Sequence, residues 1–215
     1  MKIKQIMKKY FLMVLALIAV HTMHAQTSDK AIQLYEQSKN KINSLKDYSF
    51  AFTFQSSGNY LDGNIKVKGQ KFNVSIDGLS MVYDGQKTYN INHQDKEVNV
   101  YNQSEDLGIV TPSALLSYFE TSAYNFEWDI EQKLSDGRMI QFIKLTPKNK
   151  SAGKNSGLIG IDTKTNMVYK IIETDAYQGR NTLTINSFKS NLNLSDTEFQ
   201  FKKSDYPGYY VYEVD

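Results

Sequence analysis

From Tyr48 to Lys189 the sequence alternates apolar and polar residues one by one, in segment after segment. In Tyr48-Ser49-Phe50-Ala51-Phe52-Thr53-Phe54-Gln55 the four aromatic residues share one side, and Ser49, Thr53 and Gln55 with small Ala51 share the other. A period of two is that of a half-buried antiparallel strand. The pattern returns at Leu61, Gly63, Ile65 and Val67, at Phe72, Val74 and Ile76, and at Val98 and Val100 against Glu97 and Asn99. Turn residues separate the segments: Ser57-Gly58-Asn59, Asp77-Gly78, Asp84-Gly85, His93-Gln94-Asp95, Asp136-Gly137 and Gln178-Gly179. Asp-Gly marks hairpins because Gly takes the positive φ that primed turns require. Eleven strands are expected, over residues 48–55, 60–68, 71–77, 79–83, 86–92, 96–102, 124–133, 138–145, 157–162, 166–176 and 180–189. Short connections make their order a meander.

A twisted sheet of that width curls or closes, and its apolar face must then be filled or covered. Two helices are available as covers. Between Ser28 and Lys46 the residues Ala31, Leu34, Tyr35, Ser38, Ile42 and Leu45 follow helical spacing, with Thr27 or Ser28 as cap and Asp29 in the first turn. Thr111-Pro112-Ser113 followed by Ala114, Leu115, Leu116 and Phe119 reads as a short capped helix with Pro at its first position. Two helices are too little to plug so wide a barrel, which leaves either an apolar cavity or a curved sheet whose aromatics fill their own core.

Residues 1–25 read as a secretory signal peptide: Lys2, Lys4, Lys8 and Lys9, an apolar run over residues 10–20, then small Ala25. That run is short of the ~20 residues needed to cross a membrane. Residues 26–215 then form a single domain. The basic start also accounts for the net charge of +2, because the other 190 residues carry 21 basic and 23 acidic side chains. Such a balance removes the clustered Lys and Arg on which nucleic-acid binding rests.

Chemistry is scarce. With no Cys the chain has no disulfide, thiol nucleophile or thiolate metal site, and no Cys to lipidate. Beyond the signal the one histidine is His93, in an expected turn, so a hydrolase would have to be built around it. No EF-hand spacing is present. Glu127 and Asp129 alternate with Phe126, Trp128 and Ile130 and read as a solvated strand face rather than an acid–base pair. The tyrosine-rich run Tyr206 to Tyr212 is either a docked segment or an exposed partner patch. Neither a cofactor nor a catalytic residue is expected, and the chain is read as a non-enzyme.

Phe50-Ala51-Phe52-Thr53-Phe54-Gln55, Gly63 to Lys68, Val82-Tyr83-Asp84-Gly85-Gln86-Lys87-Thr88-Tyr89, Leu145-Thr146-Pro147, Ile159-Gly160-Ile161-Asp162 and Leu192 to Phe201 follow one another in an order that resembles the periplasmic outer-membrane lipoprotein carrier family, LolA. The resemblance spans residues 28 to about 203. It implies a mainly β fold, an unclosed antiparallel barrel whose apolar concave face is covered by a helical lid. It also implies a monomeric periplasmic carrier with no cofactor and no chemical step. Such a carrier takes acylated lipoproteins from an inner-membrane ATP-driven release complex and delivers them to an outer-membrane acceptor. An Arg that latches the lid in the family falls near Gly69 here, where Lys68 and Lys71 are the nearest bases. Phe72 matches the aromatic that follows it.

On this reading the concave face is lined by Phe50, Phe52 and Phe54, by Ile65 and Val67, and by Phe72, Val74 and Ile76. Tyr89, Ile91, Val98 and Val100 continue it, and Phe126, Trp128 and Ile130 complete it. Leu34, Ile42, Leu115, Leu116 and Phe119 are expected on the lid side. A one-residue slip in any strand would reverse its assignment. The alternative role for the same fold is a periplasmic sensor or binding module for acyl lipids.

Overall fold

The computed structural model describes residues 28–102, 116, 119–149, 155–175 and 179–214. The expected signal peptide and most of the expected short helix from Thr111 to Phe119, Leu115 included, lie outside them. Residues 28–43 form helix α1. Its spacing works as read: Ala31, Leu34, Tyr35, Ser38 and Ile42 are all buried. The helix stops three residues before the expected Lys46, because the Leu45 N–H turns back to the Ile42 carbonyl at 3.1 Å and the chain enters the sheet at Asp47.

Twelve strands follow: β1 Asp47–Ser56, β2 Asn59–Lys68, β3 Lys71–Ile76, β4 Leu79–Tyr83, β5 Thr88–Asn92, β6 Glu97–Tyr101, β7 Tyr124–Lys133, β8 Met139–Pro147, β9 Ser156–Asp162, β10 Val168–Thr174, β11 Arg180–Ser190 and β12 Tyr210–Val214. They make one sheet in the order β12-β6-β5-β4-β3-β2-β1-β11-β10-β9-β8-β7. The barrel is unclosed, with β12 and β7 as its two edges. Eleven strands match the sequence reading. β12 is additional, and it joins β6 in the one parallel pairing among the described strands.

Hairpin geometry fixes which residues share a face. Asp77 and Gly78 have φ of 33° and 77°, the positive values of a primed turn, so Ile76 opposes Leu79. In the next turn the Asp84 carboxylate accepts from the backbone N–H groups of Gln86 and Lys87 at 2.8 Å, and Tyr83 opposes Thr88. Cross-strand neighbours therefore run in rows. One row reads Phe50, Ile65, Val74, Met81, Asn90, Asn99 from β1 to β6. Another reads Phe52, Gly63, Ile76, Leu79, Asn92, Glu97. Their apolar members other than Leu79 pack in or against the same core cluster as α1, so this is the inner, helix-covered face.

Between these rows lies the outer face, and here the structure corrects the sequence reading. Tyr89, Ile91, Val98 and Val100 were expected inside. They stand in the outer rows, and with Val82 they form a separate apolar cluster. Phe201, Tyr206 and Tyr209 of the C-terminal segment cover that cluster, with Phe201 stacked on Tyr89 at 4.8 Å. Strands β4 to β6 are thus apolar outward because a strap of the same chain lies across them. The strap is held along its length. Lys66 pairs with Glu198 at 2.5 Å, and Lys68 and Lys71 reach Asp196 at 3.0 and 3.3 Å. Hydrogen bonds from these lysines hold both carboxyls below the usual carboxylate range. A capping box at Ser195 and Glu198 starts the 3-10 turn Asp196–Phe199 and buries Phe199.

Three register shifts interrupt the sheet among the described strands: one opposite Ala51 and Phe52, one in β10 between Val168 and Lys170, and one in β7 between Trp128 and Glu131. Gly63 is required by a close approach: a Cβ there would lie 2.4 Å from the Phe52 ring, which occupies the space above it. Gly63→Ala is therefore expected to cost about 1–3 kcal/mol through overpacking. Urea unfolding measures it, and an unchanged midpoint would show that Phe52 yields freely.

A divided apolar inner face

The inner face is apolar over most of its width, yet its two halves differ. Over one half, α1 and the residues near Phe119 fill it. Tyr35 meets Phe126 edge-on at 4.9 Å and donates its hydroxyl to the carbonyls of Leu116 and of Phe119, the latter at 2.6 Å. Burial raises the phenol pKa well above its ordinary value, with Glu36 and Glu120 adding to the effect, so the hydroxyl stays a donor at any physiological pH. Phe119 packs edge-on against Tyr124 at 5.2 Å and lies over Gly157, where a Cβ would come within 3.2 Å of its ring. Leu34, Ile42, Leu116 and Phe119 thus share one core cluster.

Over the other half a cavity of about 340 Å³ remains. Its walls include Val74 and Ile76 of β3, Leu79 and Met81 of β4, Asn90 and Asn92 of β5, and Asn99 of β6. Ile91 borders it too, although its register row and its cluster belong to the outer face. The floor is therefore aliphatic along β3 and β4 and amide-lined along β5 and β6. Leu79 is 50% exposed, an unusual state for an inner-face leucine. The volume lies at the lower end of the roughly 300–1,000 Å³ typical of ligand pockets.

Of the residues expected to line the inner face, Phe50, Phe52, Ile65, Val67, Phe72, Val74 and Phe126 are buried in its core, and Phe54 and Ile76 pack against them. Two residues of β7 do not follow. Trp128 keeps the inner register but is 38% exposed at the sheet edge, and Ile130 is 65% exposed within the bulge that interrupts the alternation. Leu79, Met81, Asn90 and Asn99 were missed. Counting outward from the Asp77-Gly78 turn would have found them, because a two-residue primed turn pairs the residues on either side of it.

Other candidates resolve into structure. Glu127 pairs with Lys144 across β7 and β8 at 3.5 Å, as a solvated face would. His93 lies 2.9 Å from the Ser80 hydroxyl and 3.1 Å from the Tyr209 hydroxyl, and its ring packs beside Tyr206 and Tyr209. It ties the strap to the sheet. The tyrosine-rich segment is docked through Tyr206 and Tyr209, whereas Tyr210 and Tyr212 on β12 are exposed. Lys68 donates to the Leu194 carbonyl at 2.8 Å and pairs with Asp196, so the bases nearest the family's latch position hold the strap on the outer face.

A family model described as outer membrane lipoprotein carrier protein LolA matches residues 62–202. No curated protein matches the sequence. Among solved structures, an uncharacterised conserved protein from Thermus thermophilus is similar at 12% identity, covering 86% of this chain and 99% of its own, with a TM-score of 0.60. The lipoprotein LppX of Mycobacterium tuberculosis aligns at 13% identity over 78% of this chain and 99% of its own, with a TM-score of 0.48. A LolA superfamily protein from Nitrosomonas europaea aligns at 13% identity over 80% and 97%, with a TM-score of 0.39.

Replacing Tyr35 by Phe leaves two backbone carbonyls without their donor and is expected to destabilise the protein by about 1–2 kcal/mol. Chemical denaturation measures the loss. A variant as stable as the parent would show that the hydroxyl does not hold the helix to the segment at Leu116 and Phe119.

Proposed function

Because the chain belongs to the outer membrane lipoprotein carrier protein LolA family, we propose that it is an exported carrier that shields the acyl chains of lipoproteins against its inner face. The observation that carries this reading is the 340 Å³ cavity on the sheet face that is otherwise filled by apolar side chains. The signal-like residues 1–25 support placement in the periplasm, where cargo would pass from an inner-membrane ATP-driven release complex to an outer-membrane acceptor.

The physical need is large. Three acyl chains hold about 45 methylenes, and at ~0.8 kcal/mol each their exposure to water costs about 35 kcal/mol. Non-covalent affinity saturates near about −20 kcal/mol, so a carrier that must also release its load covers the chains incompletely. A cavity at the small end of the ligand-pocket range holds part of such a load. The remainder needs the surface now covered by Leu34, Tyr35 and Ile42 of α1, so loading would displace the helix.

Native mass spectrometry with lipid extraction, on protein purified from a periplasmic fraction without detergent, tests this. Co-purified acylated protein is expected. Met81→Lys, which puts a charge into the cavity floor, should cut the loaded fraction about tenfold while the folded protein persists. Empty parent protein that also ignores a fluorescent acyl probe would contradict the reading. Acyl lipid without any lipoprotein would favour a lipid-binding module over a carrier.

A further inference from the structure

The two edges of the open sheet are not built alike. β7 is guarded: Glu127, Asp129, Glu131 and Lys133 put a charge at every second position, and the register shift between Trp128 and Glu131 interrupts its ladder. β12 has neither device. Its sequence Tyr210-Val211-Tyr212-Glu213-Val214 contains no Pro and one charged residue, and it pairs with β6 in unbroken register. An edge of this kind is a template for a further strand. Both of its faces are open as well, with Tyr210 and Tyr212 exposed on one side and Val211 and Glu213 on the other. The tyrosine-rich run is therefore split. Tyr206 and Tyr209 are docked in the strap, and the two tyrosines that follow are not.

Backbone geometry shows which groups remain for a partner. The Tyr210 N–H donates to the Lys96 carbonyl at 2.9 Å, so the N–H and C=O of Tyr210, and by alternation those of Tyr212 and Val214, point to β6. Those of Val211 and Glu213 point away from it, and no strand lies on that side among the described residues.

A second copy of the same strand meets these groups in antiparallel pairing about a two-fold axis through Tyr212. Val211 then faces the partner's Glu213, and the two residues exchange both backbone hydrogen bonds. Tyr212 faces the partner's Tyr212 in the non-hydrogen-bonded position, where side chains lie closest. No like charges are opposed. The neighbouring registers are poorer. An axis through Glu213 sets two carboxylates against each other, and one through Val211 sends Glu213 against Tyr209, whose hydroxyl and ring are engaged with His93 in the strap.

We propose that the protein self-associates through β12, as a two-fold dimer in which β12 pairs antiparallel with the partner's β12. The two inner faces then lie on the same side of one continuous sheet. This goes beyond the acyl-carrier reading and does not depend on it, and it departs from the monomer that the family resemblance implies. A single strand pair buries little surface, so the dimer forms and dissociates with concentration.

Sedimentation velocity over a dilution series of the purified protein reads the association, and the average mass is expected to rise from one chain toward two. Tyr212→Lys sets like charges across the seam and should weaken association about tenfold. Because the chain has no Cys, a single introduced thiol reports the register. Tyr212→Cys meets its own copy at a Cα separation of about 4.5 Å, within disulfide reach, and mild oxidation should link it into dimers. Tyr60→Cys, at a more exposed site on β2 (66% against 47%), should link far more slowly. A parent with the mass of one chain at every concentration, including one that takes up a strand of some other protein instead, would overturn the proposal. So would a dimer that Tyr212→Lys leaves as tight, or cross-linking no faster at residue 212 than at residue 60.

Discussion

A sheet that curls without closing cannot satisfy its own inner face, and that unmet burial organises this protein. Phe50, Phe52, Ile65, Val67, Phe72 and Val74 occupy consecutive rows of β1 to β3, and no second sheet faces them among the described residues. Something apolar must lie on them. Helix α1 supplies part of that cover with one stripe of side chains, and the cavity beside β3 and β4 marks where the cover stops. The proposed carriage rests on that incompleteness. A core finished by its own side chains would have no use for an acyl chain.

The outer face is the counterpart. In β5 and β6, and at Val82 of β4, the aliphatic residues point outward, where the strap from Phe201 to Tyr209 buries them, and the inner positions of β5 and β6 become polar. One chain segment therefore sets the chemistry of a site that it does not touch. The lysines of β2 and β3 serve the same end by pairing with Asp196 and Glu198. In this member of the LolA family the bases near the latch position fasten the back of the sheet rather than the lid.

Much of this was legible in the sequence because the period-two signal depends only on neighbouring residues. Turns such as Asp77-Gly78 placed the strand ends, and the stripe from Ala31 to Ile42 placed the helix. The errors arose where burial depends on a distant segment. Val98 and Val100 alternate as cleanly as Val74 and Ile76, but alternation alone does not say which face is inside, and the strap that decides it is about 100 residues away. The bulge after Trp128 broke the alternation without a Gly to announce it. β12 was missed because its partner is β6 in parallel, a pairing that no hairpin signals. The cavity itself was anticipated only as one of two outcomes, since whether a curved sheet fills its own core depends on side-chain volumes in three dimensions.

The central claim is that acyl chains lie against the inner face of β3 to β6. Photolysis of the protein with a diazirine-labelled palmitoyl chain, followed by peptide mapping, tests it directly. Label on Ile76, Leu79, Met81 or Asn99, with the outer residues Val82, Val98 and Tyr206 unmodified, is the result this account predicts. Label concentrated on the outer cluster, or spread evenly over exposed residues such as Tyr60 and Tyr210, would contradict it.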